Sequence, residues 1–275
     1  MKKLEGKIAI VTGSGRGIGQ AIAQKLASEG AKVVVNDLDA APAEETVAKI
    51  RALGSDAASC IGDVTAPDFG TRIVRDTLDA FGGIDIIVNN AGYAWDGVIQ
   101  KMTDEQWYAM LDVHATAPFR ILRAAADFIR ASAKVEKEQG RTVTRKVVNI
   151  SSIGGVCGNA GQMGYAAGKT ALIGMTKTLA KEWGRYNVTV NCVAFGMIQT
   201  RITKPIGSGQ EIAKIGEREI RMGLQPNMIE SSIKAIPLGR AGTPDDAAGA
   251  VYMFCIPESD YVSGEILLAA GGFVM

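Results

Sequence analysis

Tyr165 and Lys169 stand four residues apart in NAGQMGYAAGKTAL, residues 159–172. On a helix that spacing puts both side chains on one face, one turn apart. The pair alone also fits a half-buried tyrosine packed over a lysine stem. Ala166, Ala167 and Gly168 between them argue for more, because small residues keep the face low and let a flat group lie against it. A phenol has a reference pKa of about 10, too high for a base at neutral pH, and a nearby ammonium lowers it. A tyrosine so tuned can give a proton to a carbonyl oxygen or take one from an alcohol, the proton half of a hydride transfer. VVNISS ends in Ser151 and Ser152, and either hydroxyl could hydrogen-bond the reacting oxygen. A serine–lysine hydrolase would use the same residue types, but it leaves the nucleotide-binding elements idle.

Those elements lie in the first third of the chain. TGSGRGIG, residues 12–19, follows a short apolar run and opens a helical pattern. That is the context in which glycines let the backbone approach a pyrophosphate at a helix N-terminus. The glycines read as Gly13, Gly17 and Gly19. Asp37 ends the second apolar run, where a carboxylate accepts hydrogen bonds from ribose hydroxyls and repels a 2′-phosphate. Arg16 pulls weakly the other way. The expected cofactor is therefore NAD(H), with NADP(H) disfavoured. Asp63, followed by Val64, ends the third run within reach of an adenine edge. NNAG at 89–92 ends the fourth; its asparagines could bridge strand ends beneath a cofactor or form an Asx turn.

The elements that must position these residues alternate along the chain. Apolar runs at 8–11, 33–35, 57–61, 84–88, 147–150, 188–193 and 266–269 predict strands. Helical patterns cover 17–29, 43–52, 69–81, 104–133 and 166–182. Strands apolar on both faces and separated by helices predict an α/β fold: a Rossmann-type doubly wound parallel sheet of seven strands, with helices on both faces. No linker divides the chain, so residues 1–275 form one domain. The charged segment 134–146 reads as a solvated helix extension plus loop, peripheral to the site. Residues 200–236, rich in Gly, Met and Ile with helical patches, read as a lid over the cleft.

Composition narrows the partners. Lys plus Arg number 30 against 29 Asp plus Glu, which gives no support to nucleic-acid binding. The four cysteines lie far apart, with neither metal-ligand nor disulfide spacing. No apolar run approaches a membrane span and no secretory leader is legible, so a reducing cytoplasm is expected.

TGSGRGIG, Asp37, Asp63–Val64, NNAG and a serine ahead of YxxxK, in this order, resemble the short-chain dehydrogenase/reductase family over nearly the whole chain. The resemblance implies that Gly13, Gly17, Ile18 and Gly19 surround the pyrophosphate and that Asn90, Ala91 and Gly92 lie beside the nucleotide. It implies that Tyr165 is the acid/base and that Lys169 also holds the nicotinamide ribose. It selects Ser152, thirteen residues before Tyr165, as the catalytic serine. His114, the only histidine, stands where the family usually has an asparagine of a proton relay; it keeps the relay or is a core histidine. Phe195 departs from the family's usual proline before Gly196. The segment 195–200, including Gly196, Ile198 and Thr200, is still expected to pass the nicotinamide.

Tyr93, Trp95, Ile153, Val156, Cys157, Phe195, Met197 and Met222 are the candidate cleft lining, suited to an acyl chain or ring. The sequence most resembles the 3-oxoacyl-thioester reductase branch, which generally uses the phosphorylated cofactor, in conflict with Asp37. Tyr186, beside Arg185, replaces a basic residue common in reductases that dock an acyl carrier, which leaves carrier docking open. The expected reaction interconverts a secondary alcohol and a ketone. The substrate is an apolar alcohol or ketone, such as a 3-hydroxyacyl or 3-oxoacyl thioester, or an alicyclic or steroid alcohol. The rival reading is a nucleotide-binding scaffold or redox sensor without turnover. A homotetramer is implied by the family and by the apolar GGFVM end.

Overall fold

Each apolar run of the sequence becomes a strand, and the chain alternates strands with helices. The computed structural model describes residues 2–200, 203, 212–215, 218–221, 223 and 225–273. The strands are β1 (Ile8–Val11), β2 (Lys32–Asp37), β3 (Ala57–Ile61), β4 (Ile86–Asn89), β5 (Arg145–Ser152), β6 (Val188–Phe195), β7 (Ile212–Ile215), β8 (Arg218–Arg221) and β9 (Ile266–Ala269). The helices are α1 (Gly17–Ser28), α2 (Ala40–Ala52), α3 (Phe69–Phe81), α4 (Asp104–Leu111), α5 (Ala117–Glu138), α6 (Ile153–Cys157), α7 (Met163–Trp183), α8 (Pro226–Ala235) and α9 (Pro244–Tyr252).

Seven strands form one parallel sheet in the order β3-β2-β1-β4-β5-β6-β9. Strand alternation splits the core in two. Ala9 and Val11 face one layer with Ile22, Leu26, Val47 and Val251, contributed by α1, α2 and α9. Ile10 faces the other, with Ile73, Met110, Ile121 and Trp183 from α3, α4, α5 and α7. β1 pairs with both β2 and β4, so the winding reverses there. A crevice opens beyond the strand ends at such a point, which is where dinucleotides bind in doubly wound sheets. No helix among the described residues is long and apolar enough to cross a membrane.

Three expectations need correction. The helical region at 104–133 is interrupted by a π turn at Asp112–Thr116 before α5. Pro118 explains the position: it has no N–H to give the His114 carbonyl four residues back, so the ladder widens there. The charged segment 134–146 is not merely solvated. Glu136, Arg145 and Lys146 are buried. Arg145 makes a two-pronged pair with Glu136 at 2.6 and 3.0 Å and donates to the Ile84 carbonyl. Lys146 pairs with Asp260 at 2.6 Å. Two cations at the start of a central strand must be neutralised, and these groups do it. Finally, the described part of 200–236 contains the antiparallel hairpin β7–β8 as well as α8.

Candidate active site

The turn after β1 is held by asparagines from neighbouring strands. Asn36 accepts from the Gly13 N–H at 3.1 Å and donates to the carbonyls of Cys60 and Gly62. Asn90 donates to the carbonyls of Thr12 and Gly13 at 2.8 and 3.1 Å. The Thr12 hydroxyl accepts from the N–H groups of Asn90 and Ala91. The bridging use of Asn90 is thus the one the molecule makes, and Asn36 and Thr12 are further struts. Thr12 opens the glycine motif but its strut role is not legible there, and no motif marks Asn36, because their partners lie 23 to 79 residues away.

Gly17 takes a left-handed φ of 56°, and a Cβ there would meet nothing closer than 4.0 Å, so space stays open above the first turn of α1. Arg16 is the N-cap residue of that helix, with no side-chain cap and no acidic residue in its first turn. Free N–H groups at an uncapped helix start suit a pyrophosphate. Asp37 accepts from the N–H of Gly15 at 3.1 Å and from that of Asp39 at 3.2 Å. Gly15, which the glycine spacing passed over, lets Asp37 approach: a Cβ there would come 2.8 Å from its carboxyl carbon. Arg16 is paired with Asp39 at 2.9 Å. Asp63 accepts from the Thr65 N–H and hydroxyl. This donor and acceptor set fits a dinucleotide.

The second half of the crevice holds Ser152, Tyr165, Lys169 and His114. Ser152 ends β5 and caps α6, accepting from the Gly154 N–H at 3.1 Å. The rival Ser151 is buried and donates to the Lys169 carbonyl at 2.9 Å. Lys169 is buried, with Nζ donating to the Ile150 carbonyl at 2.8 Å and lying 5.8 Å from the centre of the Tyr165 ring. Burial lowers its pKa to about 8. Tyr165 departs from expectation: burial raises its pKa, the charge of Asp96 adds to the rise, and the Ser152 side chain opposes it. In the protein by itself, desolvation of the phenolate therefore outweighs the Ser152 hydrogen bond.

His114 sits on the π turn, its ring edge-on to Tyr165 at 5.1 Å. Its Nε2 lies 2.8 Å from the Tyr93 carbonyl, which can only accept, so Nε2 carries the proton. Burial, then the Lys169 charge, hold its pKa well below the ordinary value, and the ring is neutral. Nδ1 is left a buried acceptor with no partner among the described residues.

One cleft of about 630 Å³ joins the two halves. It brings together every residue expected at the nucleotide, together with Ser152, Tyr165, Lys169, His114, Tyr93 and Phe195. Ile212 and Ile215 of β7 reach its wall, as do Gln162 and Thr203, none of them expected there. Trp95, Ile153, Cys157 and Met197 do not line it. Trp95 packs against the core layer of α4 and α5, and α6 carries Val156 and Cys157 out to solvent. Met222 lies outside the described residues.

The family model for short chain dehydrogenases matches residues 7–211. The chain is 37% identical to the 3-oxoacyl-[acyl-carrier-protein] reductase of Vibrio cholerae over 99% of both proteins. It is 35% identical to the Synechocystis reductase of the same name over the full length of both. A solved structure from Sinorhizobium meliloti 1021, assigned as a short-chain alcohol dehydrogenase, superposes with a TM-score of 0.84 at 28% identity, covering 98% of this chain and 97% of that one.

Proposed function

The chain belongs to the short chain dehydrogenase family, oxidoreductases that act between an alcohol and a ketone, and from that premise we propose that it interconverts a 3-oxoacyl thioester and its 3-hydroxy form with NAD(H) as preferred cofactor. The observation that carries this reading is the cleft that holds Ser152, Tyr165 and Lys169 together with the uncapped start of α1 and Asp37. When bound, the nicotinamide supplies the hydride acceptor or donor. Tyr165 gives a proton to the ketone oxygen in reduction and takes one from the alcohol in oxidation. Ser152 hydrogen-bonds the same oxygen. Lys169, with a pKa of about 8, is poised to hold or lose a proton near neutrality. The open Nδ1 of His114 favours the relay role over that of a satisfied core histidine, since a buried acceptor without a partner is costly.

Three features support NAD(H). Asp37 presents its carboxylate in the cleft, Leu38 beside it offers no positive charge, and Arg16 is drawn to Asp39. The relatives' named substrate, an acyl-carrier thioester, supports the substrate class. Four free thiols, with Cys157 exposed, support a reducing compartment such as the cytoplasm.

The test is a panel of 3-oxoacyl thioesters and alicyclic ketones run with NADH and NADPH. Turnover of a 3-oxoacyl thioester, faster with NADH and reduced at least ~10²-fold by Tyr165→Phe, is expected. Turnover confined to alicyclic ketones would overturn the substrate class. Full activity in Tyr165→Phe would overturn the acid/base assignment.

A further inference from the structure

We propose that Gln20 and Thr46 are positioning residues for cofactor choice. They grip the Gly15 carbonyl, and the Gly15 N–H holds Asp37 in the attitude that reads the adenosine ribose. The inference rests on the reading of Asp37 as the group that meets the ribose hydroxyls.

Gly15 is buried and has no side chain to stiffen it, so the partners of its N–H and carbonyl set its conformation. The N–H donates to Asp37 Oδ2 at 3.1 Å. The carbonyl accepts from Gln20 Nε2 of α1 at 3.0 Å, and the hydroxyl of Thr46 on α2 lies 3.2 Å from it. A carbonyl can only accept, so the nitrogen of the Gln20 amide faces it. The rest of the network agrees with that orientation. Gln20 Nε2 also donates to Thr46 Oγ1 at 2.8 Å, and Gln20 Oε1 accepts from Lys49 at 3.4 Å. Thr46 is fully buried and reaches the Pro42 carbonyl at 3.1 Å as well. Two helices thus meet on one glycine.

Of these four residues only Asp37 lines the cleft, so Gln20 and Thr46 act through it. Its two oxygens are held separately, Oδ2 by Gly15 and Oδ1 by the Asp39 N–H at 3.2 Å. Each oxygen keeps a lone pair for a ribose hydroxyl. The Asp39 donor is local to the turn, whereas the Gly15 donor depends on α1 and α2. Nearby cations do not take its place: Arg16 pairs with Asp39 at 2.9 Å, and Lys49 with Glu45 at 2.6 Å. With its carbonyl released, Gly15 can turn its N–H away, and the carboxylate gains freedom. NAD(H) then loses a preorganised acceptor, and NADP(H) meets a carboxylate able to swing away from its 2′-phosphate. Both changes lower the preference for NAD(H). One neutral hydrogen bond is at stake, so the effect is about 3- to 10-fold, smaller than that of deleting the carboxylate.

The experiment titrates NADH and NADPH into the full-length protein and follows nicotinamide fluorescence, for the parent, Gln20→Met, Thr46→Val and Thr46→Ser. Met keeps the length of Gln without its amide, Val keeps the shape of Thr without its hydroxyl, and Ser restores the hydroxyl. The ratio of Kd for NADPH to Kd for NADH is expected to fall about 3- to 10-fold in Gln20→Met and Thr46→Val, and to stay near the parent value in Thr46→Ser. In steady state, KM for NADH should rise while kcat holds. Gln20→Met added to Asp37→Ala should leave the ratio of that variant unmoved, because the clamp has lost what it holds. Equal weakening of both cofactors, or a fall in ratio that persists on top of Asp37→Ala, would overturn the positioning role. A ratio unmoved in Gln20→Met and Thr46→Val but moved in Asp37→Ala would overturn the clamp and leave the Asp37 reading standing. A ratio unmoved in Asp37→Ala would remove that reading, and the clamp with it.

Discussion

The Lys169 ammonium is buried with one hydrogen bond, to the Ile150 carbonyl. Its folded pKa of about 8 lies below the ordinary lysine value of 10.5. A lysine depressed in this way costs stability, in full below pH 8, and the cost fades as pH rises from 8 toward 10.5, because the unfolded chain binds the extra proton. Lys169→Met should therefore stabilise the protein on the order of 2 kcal/mol at pH 7 while abolishing turnover. Thermal denaturation at pH 7 and pH 10 checks this, with the gain shrinking at the higher pH. Loss of stability at pH 7 would mean that the hydrogen bond outweighs the buried charge. Cofactor choice belongs to the same scale. Asp37→Ala should lower the NADH-to-NADPH ratio of kcat/KM at least ~10-fold, since the ribose loses an acceptor and the phosphate a repulsion. Adding Leu38→Arg should lower it further. Steady-state kinetics with both cofactors decide, and an unchanged ratio would show that the ribose is not read at Asp37.

Glu136 at the end of α5 and Arg145 at the start of β5 tie helix to sheet, at the opposite end of β5 from Ser152. Breaking a buried pair leaves the other charge uncompensated, so Glu136→Gln should destabilise the fold by about 3 kcal/mol without changing KM. Arg145 lowers the Glu136 pKa. The pair's contribution is thus present above the ordinary glutamate pKa and is lost as pH falls through the lower folded value. Denaturant unfolding at pH 7 measures the first effect, and a ΔΔG below ~1 kcal/mol would show that water replaces the lost partner. The same element explains what sequence does and does not reveal. The strands were legible because buried parallel strands are continuous apolar runs. Tyr165, Lys169 and the glycine turn were legible because their geometry is local. The burial of Arg145 was not, because its partner lies across a loop and a charged run resembles a solvated one. The π turn, the β7–β8 hairpin and Asn36 were hidden for the same reason: each depends on what the fold brings to it.

At the scale of the whole molecule, two surfaces stand out. Tyr108, Phe119 and Met163 are exposed on α4, α5 and α7, the helices covering one face of the sheet. β9 forms one end of the sheet with Leu268 exposed, and an open strand edge with an apolar side chain invites pairing. Phe273 follows it, while Val274 and Met275 lie outside the described residues. Two isologous contacts with crossed two-fold axes close a D2 tetramer, whereas either alone stops at a dimer. The two surfaces are separate, one on a face and one at an edge, so they can be filled at the same time. Light scattering at micromolar concentration is expected to give four times the chain mass of 28.9 kDa. Phe119→Glu places a charge in the helical contact and leaves the β9 edge intact, so it should give twice the chain mass. A monomer mass for the parent protein would reject the assembly. A tetramer that persists in Phe119→Glu would move the helical contact elsewhere on α4, α5 and α7.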